Sequence, residues 1–144
     1  MSTAVSAWPH GAPAVGDTAE WTRTVGLTDI ERFTEISGDR NPLHYDATAA
    51  AATRFGEIVV QGGVTTAVLN AVVAEKLPGP GTVFLSVHWD FKAPVRPGDV
   101  ITGRVEVTHV RTDKPITTLR MSVIRADGTV AVEGTAVSYT IALP

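Results

Sequence analysis

The chain contains no cysteine among its 144 residues. This absence excludes disulfide bonds, thiolate metal sites and cysteine nucleophiles, and it is compatible with a reducing cytoplasm. No segment approaches the run of about 18 apolar residues that a membrane helix needs. Residues 1–17 also lack the basic and apolar regions of a signal peptide. We therefore expect a cytoplasmic protein that has no membrane partner.

Positive charge is also too scarce to form a nucleic-acid surface. The 12 Lys and Arg against 15 Asp and Glu give a net charge of −3, and no basic stripe is present to neutralise phosphates. A length of 144 residues suits one domain. Residues 1–16 are rich in Ala, Pro, Gly and Ser, which predicts a flexible N-terminal arm. The single domain is then expected over residues 17–144.

Two helices are indicated in the first half of the chain. In residues 27–38, Thr28 and Glu31 have the spacing of a capping box, and Gly38 suits the left-handed residue just past a helix end. Residues 63–77 predict the central helix of the domain, because their small and apolar side chains fall near one face. That face comprises Val64, Ala67, Val68, Ala71, Val72 and Leu77.

Strands are predicted on both sides of these helices. One segment before them alternates, and four β-branched, largely alternating segments follow them. The five segments are residues 18–25, 82–95, 100–111, 115–126 and 129–143. Helices followed by a run of strands predict an α+β fold, in which an antiparallel sheet covers the apolar face of the long helix.

The loop "SGDRNPLHYD" at residues 37–46 concentrates polar groups just after the first helix. Pro42 biases Asn41 away from helical geometry, so the turn can bring Asp39 and His44 near each other. A carboxylate and an imidazole that share one water molecule can act as general base and acid. Asn41 can orient Asp39 by a hydrogen bond. The loop is therefore a candidate site for proton transfer.

The same residues allow two other interpretations. Gly, Asp, Asn and Pro are common in solvated turns that have no catalytic role. Asp39, His44 and Asp46 are also potential metal ligands, although the cluster contains only one histidine. The residues alone leave the three interpretations open.

Gly62 and Gly63 open the predicted central helix. The backbone N–H groups at a helix start lack partners and lie at the positive end of the helix dipole. Glycine lets a ligand approach these groups, so the position suits a carbonyl oxygen that becomes negative during a reaction. Close packing of the helix against the sheet explains the glycine pair equally well.

The segment "FTEISGDRNPLH" at residues 33–44, followed by Ala50, resembles the signature of the MaoC-like hydratases, specifically the R-specific 2-enoyl-CoA hydratases. That signature is an aromatic residue, then Ser-Gly-Asp-x-Asn-Pro-Leu-His, then a small residue. The likeness extends over residues 15–142. It implies a hot-dog fold, in which an antiparallel β-sheet wraps a long central helix, and assembly into a homodimer or higher homo-oligomer.

The resemblance assigns roles to four residues. Asp39 and His44 match the catalytic pair that holds and activates water. Asn41 matches the asparagine that supports the pair, and Gly62 matches the glycine whose amide binds the thioester oxygen. We assign Asp39 as the base toward water and His44 as the group that delivers a proton, and the reverse sharing stays open because coupled groups act as a pair.

The chain departs from the family pattern at substrate-binding positions. Gln61, Gly62 and Gly63 stand where the family commonly has His-Gly-Met, and Asn70 stands where some relatives carry a serine near the acyl chain. We expect Gln61, Gly63 and Asn70 to influence the length and shape of the substrate more than the chemistry.

The resemblance implies the reversible hydration of trans-2-enoyl-CoA to (R)-3-hydroxyacyl-CoA. This hydro-lyase reaction needs no metal or redox cofactor, and CoA is part of the substrate. Two alternatives remain: a dehydratase acting on 3-hydroxyacyl groups attached to acyl carrier protein, and a non-catalytic subunit that binds acyl thioesters on the same scaffold.

Overall fold

A computed structural model describes residues 8–144 and shows a long helix packed against one face of an antiparallel sheet. No helix in this part of the chain is long and apolar enough to cross a membrane. In chain order the described elements are β1 (Thr18–Thr24), α1 (Leu27–Ser37), α2 (Pro42–Tyr45), α3 (Ala47–Ala51), α4 (Gly62–Glu75), β2 (Thr82–Phe91), β3 (Val100–Val110), β4 (Ile116–Arg125) and β5 (Val130–Thr140).

The five strands lie in the order β1-β3-β4-β5-β2, and every neighbouring pair is antiparallel. Alternate side chains of the central strands are buried, as the period of two along a strand requires. On β3 and β4 these buried residues are Ile101, Val105, Val107, Leu119, Met121 and Val123. The sheet curves around α4, so the predicted α+β hot-dog fold is confirmed.

Helix α4 lies unusually close to the sheet because Gly103 of β3 has no side chain. A Cβ atom at Gly103 would lie 2.8 Å from Val68 Cγ2 and 3.3 Å from the Val68 main chain. Val68, Leu69 and Val72 are completely buried on this side. The predicted apolar face was wrong at Ala67, which is exposed, because the helix turns its valine and leucine rows toward the sheet.

The start of α1 differs from the sequence prediction. The helix begins at Leu27 with Gly26 as N-cap, so a capping box between Thr28 and Glu31 is wrong. Asp29 fills that role instead: its carboxylate accepts the Gly26 N–H at 2.8 Å, and its own N–H donates to the Gly26 carbonyl at 3.1 Å. An acid three residues after the cap satisfies a free N–H in the same way as the expected glutamate.

The predicted N-terminal arm falls into two parts. Residues 1–7 lie outside the described residues. In residues 8–16, Trp8 is buried and its indole Nε1–H donates to the Arg111 carbonyl at 3.1 Å. The N–H of Gly16 donates to the Val107 carbonyl at 2.8 Å. Residues 8–16 therefore lie against the sheet domain, although they form neither helix nor strand.

The close approach at Gly103 predicts a strong cost for Gly103→Ala. The added methyl group would push α4 away from β3, and such overpacking lowers the free energy of unfolding by about 1–3 kcal/mol. Urea denaturation measures this loss. In a Val68→Ala background, where Cγ2 is absent, the same substitution should cost less. An equal cost in both backgrounds would contradict the packing we describe.

Candidate active site

The candidate loop is shaped by local signals at both of its ends. Helix α1 ends at Gly38, whose φ of 75° lies in the left-handed region, as predicted. Asn41 then caps α2, because its Oδ1 accepts the N–H of Leu43 at 3.1 Å. His44 belongs to this short helix. A tight turn therefore brings the acid and the histidine of the loop together.

Asp39 and His44 face each other across a short gap. Asp39 Oδ2 lies 3.6 Å from His44 Nε2, while His44 Nδ1 lies 2.7 Å from the carbonyl oxygen of Val59. A carbonyl oxygen only accepts hydrogen bonds, so Nδ1 carries a hydrogen. In the neutral ring, Nε2 then presents a lone pair toward the carboxylate. Two acceptors at this separation can both receive hydrogens from one water molecule.

The backbone of the loop orients the Asp39 carboxylate. Its Oδ1 accepts the main-chain N–H of Asn41 at 3.0 Å, which leaves Oδ2 directed toward His44. Support from Asn41 was predicted, and it comes from the backbone while the side chain caps α2. The Asp39 side chain is 39% exposed and the His44 side chain only 10%. The carboxylate is thus the more accessible member of the pair.

The Thr34 hydroxyl joins the loop to the rest of the site. Thr34 Oγ1 lies 2.8 Å from the Asp39 carbonyl and 3.0 Å from the Ile30 carbonyl, accepts from Gln61 Nε2 at 3.1 Å, and contacts the Tyr45 hydroxyl. The hydroxyl has one hydrogen and two lone pairs for these four contacts, so its hydrogen-bonding capacity is fully used. Thr34 therefore ties α1 to the carbonyl of Asp39, to α2 and to the residue that precedes α4.

The Gln61 side chain is directed into this network and not into open space. It is 1% exposed, and its Nε2 also donates to the Ile30 carbonyl at 3.0 Å. Its Oε1 is buried without a hydrogen-bond partner among the described residues. The substrate-binding role expected for Gln61 stays a prediction, whereas its contacts hold Thr34 in place.

Aromatic rings cover the two glycines that open α4. A Cβ at Gly62 would lie 2.8 Å from Phe91 Cε1, and one at Gly63 would lie 2.1 Å from Phe33 Cζ. Close packing therefore requires glycine at both positions. The N–H of Gly62, at the first position of the helix, makes no hydrogen bond within the described residues. It is available as a donor, as the sequence suggested.

A cavity of about 710 Å³ opens beside Gly62. Phe55, Val59 and Phe91 are among the residues that line it. Asp39 and His44 are not, but the Val59 carbonyl that holds His44 belongs to a lining residue. Sequence reasoning missed this cavity, and Phe91 in its wall is 59% exposed. The residues that line the cavity come from segments far apart in the sequence, so no short-range sequence pattern connects them.

The remaining candidates lie apart from the pair. Asn70 is exposed, two turns along α4 from Gly62, and does not line the cavity. Asp46 Oδ1 accepts the N–H of Ala49 at 3.0 Å, so this acid caps α3. Within residues 8–144, no group of three or more Asp, Glu or His side chains is arranged to hold a metal ion.

Arg125 and Asp127 form an ion pair beside the cavity, and each shifts the pKa of the other. Arg125, at the cavity wall, has its pKa raised by a hydrogen bond from its guanidinium to Asp127. The same bond holds the pKa of Asp127 far below its usual range. Arg125 therefore stays charged, and Asp127 compensates that charge.

Thr34→Val tests the network around the loop. The variant keeps the shape of the side chain but removes the acceptor for one hydrogen of the buried Gln61 amide. A buried polar group left unpaired costs about 1–3 kcal/mol, so the free energy of unfolding should fall by about that amount. Thr34→Ser restores the hydroxyl and should recover most of the loss in urea denaturation. Equal stability of the Val and Ser variants would remove Thr34 from this role.

Comparison with known proteins identifies the family. A family model described as "MaoC like domain" matches residues 12–127. The chain is 38% identical over 123 residues to the (R)-specific enoyl-CoA hydratase of Aeromonas caviae, which covers 85% of this chain and 92% of that protein. It is 41% identical over 96 residues to the 3-hydroxybutyryl-CoA dehydratase of Methylorubrum extorquens, covering 67% of this chain and 61% of the relative.

The fold agrees with these relatives. The solved structure of the (R)-hydratase from A. caviae, described as involved in PHA biosynthesis, matches with a TM-score of 0.85 at 36% identity. The match covers 90% of this chain and 98% of that one. The matched residues include both the candidate loop and the start of α4. The chain belongs to the MaoC-like family.

Proposed function

We propose that this protein is a hydro-lyase that reversibly hydrates trans-2-enoyl-CoA to (R)-3-hydroxyacyl-CoA. The observation that carries the proposal is the 3.6 Å gap between Asp39 Oδ2 and His44 Nε2, with Nδ1 held by Val59. The activities named for two relatives, an enoyl-CoA hydratase and a 3-hydroxybutyryl-CoA dehydratase, support the same reaction in its two directions. The (R) stereochemistry follows the first of these names.

The proposed reaction begins with one water molecule bound between Asp39 and His44. Free water has a pKa of about 15.7, so a base must remove its proton as the oxygen attacks C3 of the enoyl group. Asp39 accepts this proton. The electrons of the carbon–carbon π bond move through the thioester, and its carbonyl oxygen becomes negative. The unpaired N–H of Gly62 stabilises that oxygen.

A proton must then reach C2 to complete the addition. Asp39 passes the proton it took from water to Nε2 of His44, and Nε2 delivers it to C2, because Nδ1 is committed to the Val59 carbonyl. These transfers return Asp39 and His44 to their starting state. One C–O bond and one C–H bond form while one π bond and one O–H bond of water break, so the reaction needs no oxidant or reductant. The thioester serves as the electron sink.

The three substrate-binding residues expected from the sequence differ in how accessible they are. The Gln61 side chain is engaged with Thr34 and Ile30, and Phe33 covers Gly63. Asn70 alone has an exposed side chain, on the same helix as Gly62. We therefore assign to Asn70 the influence on acyl-chain length, which a substrate-length series with Asn70→Ser would measure.

A second copy of the chain is the proposed partner along β2. This strand lies at the edge of the sheet, where backbone N–H and C=O groups lack a neighbouring strand. It also exposes a row of apolar side chains, which a soluble monomer rarely leaves uncovered. These are Val83, Leu85, Val87 and Phe91, with exposures of 47%, 56%, 45% and 59%. Pairing at β2 would bury them and give a homodimer.

Asp39→Asn and His44→Ala test the catalytic pair. Asp39→Asn removes the basic carboxylate and His44→Ala removes the imidazole, so the rate of crotonyl-CoA hydration should fall by about 10²–10⁴ in each variant. Loss of the conjugated enoyl absorbance measures this rate, and chiral chromatography identifies the product. Two matched controls change residues outside the pair. Asp46→Asn makes the same chemical change at an acid that caps α3, and His88→Ala removes an exposed histidine. Full activity in either pair variant would refute the mechanism.

The same assay separates the competing functions. Crotonyl groups on acyl carrier protein, offered beside crotonyl-CoA, show which carrier the protein uses. Binding of crotonyl-CoA without hydration would indicate a non-catalytic thioester-binding subunit.

Val87→Lys tests the homodimer. A charge in the middle of β2 would oppose burial of that edge, so sedimentation velocity should show a shift from dimer to monomer. Val15→Lys introduces the same charge at another exposed apolar residue, 65% exposed and outside β2, and should leave the dimer intact. A dimer of unchanged stability in the Val87 variant would exclude this interface.

A further inference from the structure

The cavity beside Gly62 has a marked charge asymmetry. Four of the chain's 12 Lys and Arg line it, namely Arg54, Lys92, Arg96 and Arg125, and no carboxylate does so within the described residues. The protein as a whole carries a net charge of −3. A concentration of cations against the overall charge raises the local concentration of anionic ligands. The asymmetry therefore points to a negatively charged ligand.

Two of the four cations are already occupied. Arg125 binds Asp127 at 2.7 Å and donates to the Pro94 carbonyl at 2.9 Å. Arg96 Nε lies 2.8 Å from Glu57 Oε1, too poorly aligned for a hydrogen bond, and its Nη2 donates to the Phe55 carbonyl at 2.9 Å. These two guanidinium groups hold the cavity wall together.

The other two cations are available. Arg54 forms no ion pair within residues 8–144, and its guanidinium lies 5.5 Å from the centre of the Phe55 ring. Stacking on an aromatic ring limits the positions of the side chain without consuming its hydrogen-bond donors. Lys92 lies 3.6 Å from Glu133, and both side chains are about half exposed. An exposed ion pair at this distance contributes little to stability, so Lys92 can exchange Glu133 for an anionic ligand.

We propose that Arg54 and Lys92 bind phosphate groups of the carrier to which the acyl thioester is attached. This inference rests on the proposed function, which places the thioester carbonyl at Gly62, a residue that lines the same cavity. The apolar walls at Val59, Phe91 and Val95 accommodate the uncharged arm between the thioester and the phosphates. Guanidinium and ammonium groups are the donors that commonly bind phosphate. Coenzyme A and acyl carrier protein share the phosphopantetheine phosphate, and only coenzyme A adds nucleotide phosphates.

Binding of saturated thioesters tests this site without depending on catalysis. Three ligands are compared by NMR titration: butyryl-CoA, S-butyryl-4′-phosphopantetheine and S-butyryl-pantetheine. Arg54→Gln and Lys92→Gln should each weaken butyryl-CoA binding roughly 3- to 10-fold, as expected for the loss of one charge-assisted contact at an exposed site. Neither variant should change the affinity for S-butyryl-pantetheine. The affinity for butyryl-CoA should also fall with ionic strength, less steeply in the double variant.

Arg104→Gln is the matched control, because Arg104 is exposed on the opposite face of the sheet and does not line this cavity. It should bind all three ligands like the unmodified protein. Weakened binding of the phosphopantetheine ligand would assign the contact to the phosphate that both carriers share. An effect on butyryl-CoA alone would assign it to the nucleotide phosphates. Both results support the site.

Two outcomes would overturn the proposal. One is unchanged affinity for butyryl-CoA in the double variant. The other is an equal loss of affinity for the ligand without phosphate, which would indicate a disturbed cavity. Failure of the proposed function is a separate result: the unmodified protein would bind butyryl-CoA in this charge-dependent manner but would not hydrate crotonyl-CoA.

Discussion

The hydrogen bond between His44 Nδ1 and the Val59 carbonyl is the contact on which the site depends. At 2.7 Å it fixes both the orientation of the ring and the nitrogen that carries the hydrogen. A second bond reinforces it, because the N–H of Val59 donates to the Leu43 carbonyl at 3.2 Å. These two bonds join α2 to the segment before α4. Together they hold the His44 ring in the orientation in which Nε2 faces Asp39.

The same segment connects the pair to the cavity. Val60 follows Val59, and its N–H donates to the Val95 carbonyl at 2.9 Å, so one short stretch contacts the loop on one side and the cavity wall on the other. Two residues later, Gly62 starts α4. Phe91 and Phe33 then pack in the space that a side chain at Gly62 or Gly63 would occupy, and Gly103 lets α4 approach the sheet. Close packing therefore sets the position of the Gly62 amide relative to His44.

Local patterns in the sequence predicted most of the fold. Alternation located the strands, Gly38 marked the end of α1, and the proline after Asn41 indicated the turn that brings Asp39 near His44. These signals act over a few residues, where backbone geometry is restricted. The resemblance to the MaoC-like family supplied the fold name and the roles of the pair. The capping box was misplaced because Gly26 and Asp29 satisfy the same requirement two residues earlier.

Contacts between distant segments could not be predicted in this way. Thr34 and Gln61 are 27 residues apart, and His44 and Val59 are 15 apart. Neither contact follows a helical or strand period, so no pattern in the sequence announces it. Arg54 follows α3 and Lys92 follows β2, and both line the same cavity only because the fold brings these two segments together. The same limit explains why the contact of Gln61 with Thr34 was not predicted.

The state of the His44 ring tests this account most directly. ¹⁵N-labelled protein, with His44→Gln to assign the signal, allows the two ring nitrogens to be distinguished by their chemical shifts and couplings to hydrogen. We predict that the neutral ring of His44 carries its hydrogen on Nδ1, bound to the Val59 carbonyl, with Nε2 unprotonated. A neutral ring that carries its hydrogen on Nε2 would contradict this mechanism, because that nitrogen could neither accept a hydrogen bond from the water nor receive the proton that Asp39 passes on.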